Sequence, residues 1–418
     1  MSYTPRIADQ QLRSKLASAS TVVIEGPKGC GKTATASQVA KSAVFFDTDI
    51  DAREACDLDP NLVLEGETPR LFDEWQLVPN LWNHVRRASD ARQRTGNFIL
   101  TGSATPADDI TRHSGAGRIS RLQMRTMSLF ELGLSSGNVS LEDLLAREKV
   151  SAARPVASIA DLVEYICRGG WPAMQSENLS TAMSYVRDYV AEIVRTDVEN
   201  MIGVRHDPIR LMRVMQSVAR NISTEVTLAS LARDTDETNY DVQNKTVANY
   251  LSSLERLFVM EELRPFSPHL RSRARLRKTP KRHFTDPSIA VAALRTNPDQ
   301  LLKDLNHLRL LFESLIVHEF RVYASLHDAQ LSHYRDNTGL EIDMVIQTVP
   351  GSWIPVEVKL GGGESTIDAA AANLLKFVDK VDLDRMGQPA NLLIVTSTGY
   401  AYQRHDGVTV VPITSLGP

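Results

Sequence analysis

The sequence predicts a multidomain α/β chain: an N-terminal parallel sheet covered by helices, a helical and winged-helix middle, and a second α/β domain at the C-terminus. Three observations carry this reading. Short β-branched runs alternate with helical segments through the first 150 residues, the pattern of a parallel sheet with crossover helices. Apolar positions at helical spacing dominate from about 155 to 225. Strand signals return from His283 onward, again interleaved with helices. The expected domains are 1–150, 151–225, 226–282 and 283–418.

Composition narrows the class. The 418 residues are 42% hydrophobic and 23% charged, which excludes a disordered, collagen-like or small disulfide-stapled protein. Lys plus Arg total 47 against 51 Asp plus Glu, a formal charge of −4. A cationic coat over the whole chain is therefore excluded, while a local basic patch stays open. Cys30, Cys56 and Cys167 stand far apart without a CxxC, and the histidines show no HExxH, so neither a disulfide framework nor a zinc site is expected. No secretory pattern opens the chain and no stretch nears the roughly 20 apolar residues of a membrane span. A soluble cytoplasmic protein without a membrane partner is expected.

The elements follow in order. Thr21–Glu25, Ala43–Asp47, Leu71–Phe72 and Phe98–Thr101 read as strands, with helices over Thr33–Ser42 and Leu81–Arg94. Ile159–Ile166 and Met183–Val194 read as helices, punctuated by Gly169-Gly170-Trp171-Pro172. Thr227–Leu263 reads as a helix–turn–helix unit, and Arg271–Arg282 as a basic linker with seven Arg or Lys and no acid. His333–Tyr334, Glu341–Gln347, Ile354–Lys359 and Leu392–Thr396 read as strands, with helices at Leu311–Leu326 and Ile367–Val381. Trp75, Trp82, Trp171 and Trp353 read as packing residues.

The strongest motif is Gly26-Pro27-Lys28-Gly29-Cys30-Gly31-Lys32-Thr33, which fits GxxxxGK[ST] between a strand and a helix. Glycines let the backbone curl so that successive N–H groups point at phosphate oxygens. The following helix adds its N-terminal dipole. In this phosphate-binding P-loop, Lys32 would reach the β- and γ-phosphates of ATP and Thr33 would ligate Mg2+. Asp73-Glu74 ends a strand expected beside the P-loop strand. There Asp73 would hold Mg2+ and Glu74 would polarise the attacking water, although acids also favour an exposed helix N-terminus. Ser103 or Thr101, at the end of the run Ile99–Thr105, would orient that water, or else mark a plain strand-to-loop turn.

The C-terminal region holds Glu313 on a helix, Asp343 on a strand, and Glu357 with Lys359 two positions apart on one strand face. A Pro350-Gly351 turn separates the two strands. This arrangement resembles the core of the PD-(D/E)XK nucleases, a restriction-endonuclease-like α/β fold. Asp343 and Glu357 would hold Mg2+, Lys359 would stabilise hydroxide and the charged transition state, and Glu313 would add a ligand or water contact. A salt-bridged strand face is the competing reading. DNA is a candidate partner on two grounds. Asn244, Lys245 and Asn249 begin the recognition helix Lys245–Leu257, and Arg271–Arg282 would neutralise phosphates. The same helix pair also suits protein contacts.

GPKGCGKTATA, LFDEWQLVPNLW, FILTGSA and GAGRISRLQMRTMSLFELG, in this order, resemble the AAA-type ATPase module of a prokaryotic family of P-loop NTPases. That family joins the module to a C-terminal domain of unknown function. The resemblance implies ATP and Mg2+ as ligands and a homo-oligomer. It also implies that Arg118, with Arg121 and Arg125 as alternatives, meets a neighbouring subunit's γ-phosphate; a surface arginine in a basic helix or loop is the competing reading. The family's acidic strand is normally more hydrophobic than Pro69–Phe72. The functional expectation is an ATP-hydrolysing AAA-type ATPase that drives or gates its C-terminal domains. The alternatives are an ATP-regulated, Mg2+-dependent DNA nuclease and a non-enzymatic DNA-binding regulator.

Overall fold

Five short strands build the first sheet: β1 (Thr21–Glu25), β2 (Ser42–Phe45), β3 (Arg70–Asp73), β4 (Phe98–Gly102) and β5 (Ile119–Gln123). All run parallel, in the order β2-β3-β4-β1-β5. The computed structural model describes residues 3–103, 116–148, 150, 157–198, 207–235, 243–266, 279–349 and 351–418. Helices α1 (Ile7–Ser18), α2 (Lys32–Ser37), α3 (Ile50–Leu58), α4 (Asn61–Leu64) and α5 (Leu81–Arg92) accompany the sheet. Successive side chains of β1 serve opposite faces. Val23 packs with Phe46, Phe72, Trp75, Trp82 and Phe98, while Val22 and Ile24 pack with Leu12, Leu16 and Ile99.

Four details depart from the sequence reading. The acidic strand β3 is not beside β1, because β4 lies between them and pairs with both. The helix expected over Thr33–Ser42 stops at Ser37 because Ser42 already begins β2, and α5 stops at Arg92 because Gln93 is left-handed, φ 46°. β5 escapes detection because it is an edge strand with only Leu122 buried, so its sequence ISRLQ carries little apolar signal.

A short strand β6 (Val139–Ser140) and helix α6 (Leu141–Ala146) lead into the helical region. There α7 (Ile159–Arg168), α8 (Leu179–Glu192), α9 (Pro208–Arg220), α10 (Leu228–Thr235) and α11 (Asn244–Arg256) follow. Side chains cap three of these helices at their N-termini: Ser158 for α7, Asn178 for α8 and Asp207 for α9. The hairpin of β7 (Met260–Pro265) and β8 (Lys281–Phe284) comes next.

The C-terminal part adds α12 (Pro287–Leu294), α13 (Pro298–Lys303) and α14 (Leu305–Ala324), then β9 (Gln330–Arg335), β10 (Glu341–Gln347) and β11 (Trp353–Lys359). It continues with α15 (Glu364–Val378), α16 (Leu383–Met386), β12 (Leu392–Thr396), β13 (Tyr402–Gln403), β14 (Val408–Pro412) and β15 (Leu416–Gly417). Its mixed eight-stranded sheet has the order β13-β14-β12-β11-β10-β9-β7-β8. The β7–β8 hairpin thus extends the C-terminal sheet through parallel pairing of β7 with β9, and the expected 282/283 boundary falls inside β8. β15 returns to pair with β6.

The Gly-Gly-Trp-Pro segment is a joint between these parts. Gly170 N–H donates to Asp286 Oδ2 at 2.8 Å, its carbonyl accepts Met127 N–H at 2.7 Å, and Trp171 Nε1 donates to Ser288 Oγ at 3.0 Å. Trp75, Trp82, Trp171 and Trp353 are all buried.

Candidate nucleotide-binding site

The P-loop joins the C-terminal end of β1 to α2. Gly29 and Gly31 take φ +76° and +102°, values that only glycine adopts without strain. A Cβ on Gly26 would lie 2.3 Å from the Met124 carbonyl oxygen, so this glycine also lets β1 pass close to the end of β5. The Lys32 ammonium is buried and donates to the carbonyls of Gly26 at 2.8 Å and Pro27 at 2.9 Å. The lysine thus closes the same loop whose N–H groups would cradle phosphate.

Intervening β4 brings the acidic strand and the P-loop helix to one point. Thr33 Oγ1 donates to Asp73 Oδ1 at 2.8 Å, and Thr101 Oγ1, from the end of β4, donates to the same oxygen. Glu74 sits one residue on in a left-handed conformation, φ 52°. Its carboxylate accepts from Ser103 Oγ at 3.3 Å and from the Gln76 amide. The two water-orienting candidates therefore divide: Thr101 holds Asp73 and Ser103 holds Glu74. Thr33 and Asp73 present hard oxygens next to the glycine-rich turn, a donor set that fits Mg2+ and a polyphosphate.

Two contacts to the P-loop had no sequence signal. Arg6, just before α1, donates to the Cys30 carbonyl at 2.8 Å, to the Arg125 carbonyl at 2.9 Å and to Glu131 at 3.0 Å. Tyr185, on α8, places its hydroxyl 2.7 Å from where a Gly29 side chain would begin, and it stacks with Tyr189 beside Trp171. Both act across long sequence separations, which no local spacing reports.

The arginine candidates lie apart. Arg118 precedes β5 at the N-terminal end of the sheet, whereas the P-loop leaves the C-terminal end. Five strand residues at about 3.3 Å each separate the two levels. Arg118 pairs with Asp90 at 2.5 Å on the surface. Arg121 pairs with Glu25. Arg125 pairs at 3.1 Å with Glu261 of β7, which also binds Arg321. Burial would raise the Glu261 carboxyl, but the two guanidinium groups hold it below its ordinary value.

In the C-terminal sheet, Glu313, Asp343, Glu357 and Lys359 do meet. Lys359 lies 3.7 Å from Asp343 and bonds Glu357, while Asp343 Oδ2 accepts Val358 N–H at 2.8 Å. Burial, reinforced by the Asp343 charge, pushes the Glu357 carboxyl up against the pull of Lys359. The same cluster contains Lys281, which the sequence reading placed in a DNA-facing basic run. Lys281 and Arg282 are instead buried, the second paired with Glu262 at 3.5 Å. Residues 271–278 of that run, and Pro350 of the expected turn, lie outside the described residues. Asn244, Lys245 and Asn249 are exposed on α11, opposite buried Val247, Tyr250, Leu251 and Leu254.

Among the described residues, no helix is long and apolar enough to cross a membrane. Residues 18–133 match a family described as AAA domain. Residues 159–300 and 310–416 match two families, each described as a domain of unknown function (DUF8612 and DUF4143). An uncharacterized protein of Mycobacterium tuberculosis is 24% identical over 98% of this chain and 84% of its own length, and one of Mycobacterium bovis matches equally. Among solved structures, the Walker-type ATPase of Pyrococcus abyssi is 12% identical, with TM-score 0.42, over 68% of this chain and 94% of that one. The replication initiator DnaA bound to AMPPCP and single-stranded DNA is 16% identical, with TM-score 0.23, over 60% and 86%. Residues 18–133 of the N-terminal module are thus similar to the AAA domain family, and the module closes on a P-loop.

Proposed function

We propose that the chain binds ATP with Mg2+ and hydrolyses it, using the energy to move its helical and C-terminal parts. The bond between Thr33 and Asp73 carries this reading, because it brings a P-loop hydroxyl and an acidic strand end together, where both could reach one cation. Lys32 would leave the Gly26 and Pro27 carbonyls for the β- and γ-phosphates. Thr33 and Asp73 would hold Mg2+, which supplies neutralisation of phosphate charge. Glu74, fixed by Ser103 and Gln76, would orient the attacking water and accept its proton.

Movement at the P-loop has two routes outward. Arg6 links the Cys30 carbonyl to Glu131 and Arg125, and Arg125 links on to Glu261 in the C-terminal sheet. Tyr185 links the loop to the helical region. Arg118, at the far end of its own sheet, would serve a neighbouring copy's nucleotide, so the working form is a homo-oligomer.

Glu74→Gln is expected to keep nucleotide affinity within a few-fold and to lower kcat by about 10²–10⁴, the usual share of a positioned general base. Steady-state phosphate release beside an ATP-analogue titration measures both. Unchanged turnover would remove Glu74 from the mechanism.

DNA is the second reading, favoured by the exposed Asn244, Lys245 and Asn249 on one end of α11. Charge reversal by Lys245→Glu is expected to weaken duplex binding and to reduce the slope of log affinity against log salt by about one. Equal binding by variant and wild type across salt would exclude α11 as the contact.

A further inference from the structure

The C-terminal cluster resembles a site that needs a divalent metal ion, yet its residues do not fit one. Lys281 Nζ stands 2.8 Å from Glu313 Oε1, 2.9 Å from Glu341 Oε1 and 3.8 Å from Asp343 Oδ1. A cation reaching Asp343 and Glu313 would need the space that this ammonium fills, and one on Asp343 and Glu357 would meet the Lys359 ammonium, since Mg–O distances are only about 2.0–2.1 Å. Two cations so close in a buried site repel strongly.

Lys281 is held inside the folded sheet. It lies in β8, opposite Leu263 of β7, and its side chain is 1% exposed. Lys359 supplies a second ammonium, on Glu357 and near Asp343. Glu313, Glu341, Asp343 and Glu357 are thus served by two lysines, and Arg335 lies 3.9 Å from Glu341 as well. Among the described residues, no group of three or more His, Cys, Asp or Glu is gathered as a metal site.

We infer that Lys281 is a tethered cation that takes the position of the divalent metal in the C-terminal carboxylate cluster, so this sheet keeps its acidic core without metal. A buried ammonium is tolerated there only because carboxylates surround it. The inference is independent of the ATPase reading, and its test uses the nucleotide-free full chain.

Mn2+ is titrated calorimetrically into the wild type, Asp343→Asn, Lys281→Met, and Lys281→Met with Asp343→Asn. Any Mn2+ bound at Thr33 and Asp73 is common to all four and cancels. Wild type and Asp343→Asn are expected to give the same isotherm. Lys281→Met is expected to gain one site per chain, at least tenfold tighter than any component that Asp343→Asn removes from the wild type. That site should vanish in the double variant, and Mn2+ should raise the melting temperature of Lys281→Met alone. A wild-type component that Asp343→Asn abolishes overturns the inference, as does a folded Lys281→Met that binds Mn2+ no better than the wild type. Lys281→Gln replaces Lys281→Met if the latter does not fold. If neither folds, the comparison of wild type with Asp343→Asn decides.

Discussion

Lys32→Ala is expected to lower ATP affinity by about ten- to a hundredfold, since a hydrogen bond to a charged group is worth roughly 1.5–3 kcal/mol. Turnover should fall further, because the same ammonium faces charge that grows in the transition state. The Lys32 ammonium is pinned within the P-loop, held on the Gly26 and Pro27 carbonyls. Its replacement therefore removes positive charge at the phosphate position and leaves two carbonyls short of a donor. Lys32→Arg should not restore activity, because a planar fork replaces a compact point charge in a space shaped by Gly26, Gly29 and Gly31. Titration with a fluorescent ATP analogue and phosphate release measure the two losses. Equal affinity in Lys32→Ala and wild type would defeat the nucleotide reading.

Gly170→Ala is expected to destabilise the chain by about 3 kcal/mol or more, at the upper end of overpacking costs. The new Cβ would stand 2.1 Å from Met127 O and 2.7 Å from Met127 N. Both neighbours are backbone, so no side chain can swing away. The segment cannot retreat either, because Gly170 bonds Met127 on one side and Asp286 on the other, and Trp171 beside it is fully buried. Gly361→Ala is the control, because a Cβ there meets nothing within 4 Å. Thermal and denaturant midpoints of the two variants should separate clearly. Similar midpoints would show that this joint yields at little cost.

The contrast between these glycines shows where legibility ended. Gly-Gly-Trp-Pro reads in the sequence as punctuation between helices. Its close approach to Met127 appears only when the chain returns there. Lys281 teaches the same lesson from charge. As one of seven basic residues between 271 and 282 it reads as solvated or phosphate-facing. The fold instead carries it into β8, against Glu313 and Glu341, where its ammonium is held above the ordinary lysine range. Burial works to lower it, and attraction to Glu313, Asp343 and Glu341 outweighs burial. The edge strand β5 was missed for want of apolar residues, since only Leu122 is buried.

By itself, the sequence determined the phosphate-binding turn, the acidic pair at the end of a strand and the α/β class of both ends of the chain. Each depends on local dihedral preference and side-chain period, which a short run of residues specifies without outside help. Tertiary structure decided the rest. It inserted β4 between β1 and β3, so that Thr101 rather than Ser103 reaches Asp73. It set Arg118 at the far end of the sheet from its own P-loop, and merged the β7–β8 hairpin with the C-terminal sheet. Strand order and buried ion pairing depend on which distant segments come together, and the residues of one segment do not encode their partners alone.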